Sequence, residues 1–253
     1  MADETGTRRR DPLDTVALLA FIVLCVAATW VLLERRTSTG TRTFAAAGPV
    51  RPTRPTPPSP PPLPTDPVSI ADATNLGSQA APVALIGYSE FKCPYCGKFA
   101  RDTWPGLAKK YVDTGKVRFV FRHFPLDQLH PFAREAAKAA VCADNQGKFW
   151  ALHDRMFANQ AQLDAVALAK DLKTVGLSIS SFTACMDAQA AGRVAADEAT
   201  GRPLGVTGTP TFFIGLVQPD GRVLLRQRLG GAQPLAQFEV ALDRWLGETE
   251  RAK

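Results

Sequence analysis

The chain has 253 residues, 45% of them hydrophobic and 21% charged, a balance that supports a folded core and excludes wholesale disorder. Its formal charge of +6 is split evenly: residues 1–54 carry +3, with eight Lys/Arg against five Asp/Glu, and the remainder carries the other +3. The larger part is therefore close to balance and shows no basic patch of the kind that binds nucleic acid.

Residues 1–14 form a short polar tail. Thr15 to Leu33 follow, 19 positions without a charge. At about 1.5 Å rise per residue that is roughly the ~30 Å of a hydrocarbon core. A single transmembrane anchor over 15–33 is expected. The alternative is a cleaved leader, for which Ala45-Ala46-Ala47 would be the small-residue site, far beyond the apolar run. Arg8, Arg9 and Arg10 before the run are matched by Arg35, Arg36 and Arg42 after it, so charge does not orient it.

Ten of the twenty prolines lie between Pro49 and Pro67. Proline has no backbone donor, so 34–67 reads as an extended polyproline linker. Next to an anchor, a stiff spacer is the natural use. A ligand for an SH3-like domain is the alternative.

From Val68 the pattern turns globular. Val83–Tyr88 reads as a buried strand. A helix is expected from Cys93 to about Asp113, with Pro94 in its first turn, where the missing N–H costs nothing. Val117–Phe121 is a second strand. Residues 126–205 are helical in character and Ala-rich, with breaks near Asn145-Gly147, Gln160, Gly176 and Gly192. Thr211–Ile214 and Val223–Leu225, joined by Pro219-Asp220-Gly221, make a hairpin. Leu235, Phe238, Leu242 and Trp245 recur at helical spacing in a final helix from Pro234 to Leu246. Residues 248–253 are left as a tail.

The chemistry is carried by Cys93-Pro94-Tyr95-Cys96. A thiol at a helix start meets unpaired N–H groups and the positive end of the helix dipole, which favour its thiolate. Cys93 can then attack a disulfide, and Cys96, one turn on, can resolve the mixed disulfide. Lys92 adds a positive charge next to Cys93. Gly97 leaves room for close approach of a partner chain. A zinc site would need two further ligands at suitable spacing. The chain has no second CxxC, and His123, His130 and His153 are scattered, so no metal is expected. A structural disulfide within the motif would be strained.

Ser89-Glu90-Phe91-Lys92-Cys93-Pro94-Tyr95-Cys96 resembles the active-site segment of the DsbA-type thioredoxin-like family. Arg122-His123-Phe124-Pro125-Leu126, Gly147-Lys148-Phe149-Trp150 and Gly208-Thr209-Pro210-Thr211-Phe212-Phe213 resemble its later segments, in order. The likeness covers about residues 68–247. It implies an α/β thioredoxin fold with an inserted helical domain. It also implies a protein thiol–disulfide oxidoreductase that needs no cofactor.

The same likeness implies a cis Pro210 facing the cysteines, and Thr209 presenting its backbone to a peptide substrate. Cysteine-containing exported proteins and a quinone-linked or similar membrane redox partner would be its partners, outside the cytoplasm. A reductase or isomerase of that compartment, or a peptide-binding module, is the alternative. Two departures stand out. The family often has a buried carboxylate six residues before the first cysteine, where this chain has Gly87; Glu90 is the nearest acid to serve in proton transfer. Tyr95 replaces the histidine of the strongest oxidants and offers no imidazolium to the thiolate. Cys142 and Cys185, both in the helical block, are expected to form a structural disulfide on grounds of compartment. The alternative is two buried thiols packing as small apolar side chains.

Overall fold

The computed structural model describes residues 59–251, together with Ala27, Thr29 and Trp30. The tail 1–14, the expected anchor 15–33 (apart from those three residues) and the linker as far as Pro58 lie outside the described residues. Among those described, no helix is long and apolar enough to cross a membrane.

Five strands form one sheet in the order β1-β3-β2-β4-β5. They are β1 (Thr74–Leu76), β2 (Val83–Ser89), β3 (Val117–His123), β4 (Thr211–Val217) and β5 (Val223–Gly230). Only β2 and β3 run parallel; the other pairs are antiparallel. Every residue of β2 is buried, because alternate side chains enter two cores. Val83 and Leu85 join Phe119, Phe121, Phe212 and Ile214 on one face. Ala84, Ile86 and Tyr88 join Val120 and Phe213 on the other.

The first face is covered by the helix that follows the CxxC motif. It starts as α1 (Pro94–Lys98), passes through a π-helical stretch (Phe99–Thr103) into α2 (Trp104–Leu107), and ends in a second π-helical stretch (Ala108–Val112). The first π-stretch has a local cause. Pro105 cannot donate, and its ring would collide with the carbonyl four residues back, so the ladder widens and Trp104 N–H reaches Phe99 O. The last helix, Leu235–Arg251, lays Phe238, Leu242 and Trp245 on the same face. It extends beyond the expected end at Leu246 and takes in most of the expected tail.

The insertion between β3 and β4 holds α3 (Ala133–Asp144), α4 (Phe149–Ala158), a 3₁₀ turn (Gln160–Gln162), α5 (Ala165–Thr174), α6 (Ile179–Ala188) and α7 (Ala190–Gly201). α3 is Ala-rich because it is buried on nearly every side. One side meets the main core; the other meets Val194 and the disulfide between Cys142 and Cys185, whose Cα atoms are 5.7 Å apart. A buried ion pair ties α7 to the sheet: Arg122 Nη1 donates to Asp197 Oδ1 at 2.7 Å, and Asp197 Oδ2 accepts from His123 N–H at 2.9 Å. The mixed α/β thioredoxin-like fold with a helical insertion is therefore present.

Four local expectations are corrected. The break expected at Gly192 falls at Gln189, and Gly192 sits inside α7, where a side chain would meet nothing within 4 Å. A strand precedes the expected first one: β1 pairs antiparallel with β3. The linker does not stop short of the domain at 67: Leu63 packs against the second core, and Pro61 O accepts from Arg228 at 3.3 Å. An apolar leucine among prolines gains more from that surface than from water. The last correction is the longer C-terminal helix described above.

Candidate active site

β2 ends at Ser89, and three residues carry the chain to Cys93, which caps α1 with extended backbone (φ −69°, ψ 120°). Pro94 opens the helix. This turn leaves both sulfurs almost inaccessible, Cys93 at 2% and Cys96 at 1% exposure, while Tyr95 stands out at 64%. Pro94 and Tyr95 thus form the rim that an approaching chain meets.

The Thr209–Pro210 peptide is cis. It places Thr209 O 3.2 Å from Cys93 Sγ, as acceptor of the thiol hydrogen. The Thr209 hydroxyl is buried without a hydrogen-bond partner, which leaves it to donate to a Cys93 thiolate. The Cys93 thiol is lowered to about 5, first by a hydrogen bond from Cys96. The Thr209 side chain and the free N–H groups of Cys96 and Tyr95 add to this, against the opposing effect of burial. The Cys96 thiol moves the other way, driven up by burial and by the Cys93 sulfur next to it. Ser89 and the backbone N–H of Glu90 pull Cys96 partly back. Two like sulfurs thus sit in opposite states: one a ready thiolate, the other a held thiol.

Lys92 is not where the sequence suggested. Its ammonium donates to Leu163 O at 3.0 Å and Gln160 O at 3.5 Å, in the helical insertion, and so fastens the loop instead of facing Cys93. Glu90 is fully buried. One carboxylate oxygen accepts from Lys92 N–H at 2.7 Å; the other meets His130 Nδ1. Burial raises its pKa, Lys92 N–H and His130 oppose that, and the Cys93 charge raises it further. Its carboxylate therefore feels the charge on Cys93, while Ser89 and the Glu90 backbone N–H act on the Cys96 thiol.

Gly97 also has a different reason from the expected one. A side chain there would come within 2.0 Å of Gln160 Oε1. Gln160 Nε2 donates to Phe91 O at 2.9 Å and Cys93 O at 2.8 Å, so it splints the loop that presents Cys93. The partner that Gly97 accommodates is this chain's own insertion. His130 and Gln160 carry no signal in the sequence because they reach the motif only through the fold, Gln160 reading there as a helix break; Ser89 lies within the motif segment, but only the pleat of β2 turns its side chain toward the Cys96 face.

A thiolate that is a good leaving group, next to a thiol buried one turn away, exchanges disulfides. The class is thiol–disulfide oxidoreductase. Residues 70–223 match the family described as Thioredoxin, and the chain belongs to that family. Among solved structures, Wolbachia pipientis alpha-DsbA1 is 25% identical with a TM-score of 0.62, covering 72% of this chain and 94% of that one. BdbD from Bacillus subtilis (oxidised), at 21% identity and TM-score 0.60 over 72% and 97% of the two chains, shares the fold. A protein named Na(+)/H(+) antiporter NhaA 3, from Salinispora tropica, is 39% identical over 139 residues, 54% of this chain and 21% of that protein. The chain spans about a fifth of the length of the curated relatives it matches.

Proposed function

We propose that the chain oxidises cysteine pairs in exported proteins. A substrate thiolate attacks Cys93 Sγ of the Cys93–Cys96 disulfide; Cys96 leaves and takes up a proton. The second substrate thiolate then attacks the substrate sulfur of the mixed disulfide, and Cys93 departs as thiolate. Two electrons have passed from the substrate pair to the protein, and a quinone-linked or similar membrane partner would remove them. The observation that carries this reading is the opposite displacement of the two thiols, with Cys93 lowered to about 5. A stable Cys93 thiolate favours the dithiol form and so strengthens the disulfide as an oxidant.

The working location is outside the cytoplasm, with 15–33 as membrane anchor and 34–67 as spacer. The DsbA-type neighbours and the buried Cys142–Cys185 disulfide support an oxidising compartment. The ion transport named for the antiporter relatives is not extended to this chain, since the match spans a fifth of their length. The test of the thiol roles is trapping. Cys96→Ser should accumulate a mixed disulfide on Cys93 with a reduced, unfolded substrate under mild oxidant; Cys93→Ser should form none. Trapping on Cys96 in the Cys93→Ser protein would reverse the assignment.

A further inference from the structure

Cys96 must gain or lose a proton in every cycle, yet its thiol is sealed from solvent. The carboxylate that the family often places beneath it is replaced by Gly87. A side chain at Gly87 would meet the Phe212 ring at 3.0 Å and the Phe119 ring at 3.2 Å, so the two aromatic rings occupy that route. One pleat repeat along β2, on the same face, stands Ser89. It is buried, and its side chain is among the groups that pull the Cys96 thiol down.

Ser89 and His153 line one small cavity, with about 10 Å³ open to the centre of a water molecule. That is the lower limit for one water, with Ser89 and His153 as its polar partners and aromatic rings forming most of the remaining wall. Phe99 and Ala100, three and four residues beyond Cys96, form another wall, so the cavity lies along the helix face that carries Cys96. His153 is itself nearly sealed, its side chain 6% exposed, and its Nδ1 is 2.8 Å from Asp154 Oδ1, on a side chain 70% exposed. Ser89, and His153 with its exposed neighbour Asp154, thus stand at the wall of one cavity between the helix face of Cys96 and the surface.

We propose that Ser89, a water in this cavity and His153 form the proton path of Cys96, in the place of the carboxylate that Gly87 lacks. This rests on Cys93 being the attacking and Cys96 the resolving thiol. In resolution, Cys96 Sγ bonds to Cys93 Sγ, the bond from Cys93 to the other sulfur breaks, and that group leaves as thiolate. The Cys96 proton passes to the Ser89 oxygen as Ser89 gives its own to the water, and the water passes one to the imidazole. His153 then releases its Nδ1 proton toward Asp154 and solvent. In the oxidising direction the same path runs backward. His153 and Ser89 are positioning residues: they act through Cys96.

A neutral imidazole is required to receive the proton. Burial lowers the His153 pKa, with Asp154 opposing. The titratable group facing it from β3 is His123, held to about 3 by burial and hence also neutral. From the helix after the CxxC motif, Arg101 shares with Asp154 the groove where the path reaches solvent.

The test uses the reduced full chain and 5,5′-dithiobis(2-nitrobenzoate), followed by stopped flow from pH 5 to 10. The first release of thionitrobenzoate reports attack by Cys93; the second reports resolution by Cys96. His153→Gln and Ser89→Ala should leave the first phase unchanged. They should slow the second by about 10²-fold near pH 6–7, the range of a lost general acid–base step, and converge on the parent at high pH, where hydroxide removes the proton. His153→Asn carries the test if His153→Gln does not fold, since Ser89→Ala also removes a group that pulls the Cys96 thiol down. An equal slowing at every pH, or none, would overturn the path and leave His153 a packing residue. If the parent chain shows no burst assignable to Cys93, the assignment of thiol roles fails first, and the path with it.

Discussion

Gly97→Ala is a perturbation whose sign depends on one distant side chain. In the parent, the new methyl would lie 2.0 Å from Gln160 Oε1, so the amide must swing away. That movement gives up its two hydrogen bonds to Phe91 O and Cys93 O. At about 1 kcal/mol each the loss is about 2 kcal/mol. Alanine in a helix returns about 0.5–1 kcal/mol relative to glycine. The net expectation is a destabilisation of about 1 kcal/mol.

In a Gln160→Ala background only Arg101 Nη1 remains, 2.9 Å away at the end of a flexible side chain that can shift cheaply, and the same Gly97→Ala change should stabilise by about 0.5–1 kcal/mol. The double-mutant cycle should therefore show a coupling of about 2 kcal/mol. Urea unfolding of the four proteins measures it, read as midpoint changes at constant slope. If Gly97→Ala has the same sign and size in both backgrounds, Gln160 does not splint the active-site loop and the reason given for Gly97 is wrong.

Glu90→Gln should move the thiolate titration of Cys93, followed by absorbance near 240 nm, to lower pH by up to about one pH unit, because the change removes a like charge from its surroundings; an upward movement would mean that Glu90 supports the thiolate. Replacing Cys142 and Cys185 together by Ala should cost about 3–4 kcal/mol, the chain-entropy value for a link across 43 residues. Urea unfolding checks this, and a loss below about 1 kcal/mol would show that the buried Ala-rich contacts of α3 hold the insertion without it.

The elements legible in the sequence are those whose signals are local. β2 and β3 are apolar runs, the β4–β5 hairpin has a Pro-Asp-Gly turn, and the last helix carries its stripe of Phe238, Leu242 and Trp245. β1 is three residues, Thr74–Leu76, with no alternation to read; it is a strand because β3 offers a free edge. Gly192 suggested a break by its low helix propensity, but tertiary packing of α7 overrides so weak a preference.

At the site the pattern is similar. Cys93, Cys96, Thr209 and Pro210 are found from short motifs. Lys92 could be read only by its charge, and its true partners are 68 and 71 residues away. His130, Gln160 and His153 come from three places in the insertion, and nothing at their own positions announces the cysteines.

The central claim is that Cys93–Cys96 is an oxidising pair, and its equilibrium potential tests it most directly. A thiol at about 5 instead of about 8.5 stabilises the dithiol form at pH 7 by roughly 2–3 kcal/mol. The disulfide form has no such thiol to titrate. With about 1.4 kcal/mol per 30 mV, and allowing for the partly ionised thiol of thioredoxin, the potential should lie roughly 50 mV above the −270 mV of thioredoxin.

The sign of the pH dependence follows from the depressed pKa. Above about pH 5 the dithiol form holds one proton fewer, so the potential should fall by about 30 mV per pH unit. Below pH 5, as Cys93 protonates and the advantage is lost, the slope should steepen to about 60 mV. Equilibration with glutathione from pH 4 to 9 measures both. A potential near −220 mV at pH 7 with a break near pH 5 is the expected result. A potential at or below −270 mV, with the steep slope continuing through pH 7, would contradict the oxidant and describe a reductase.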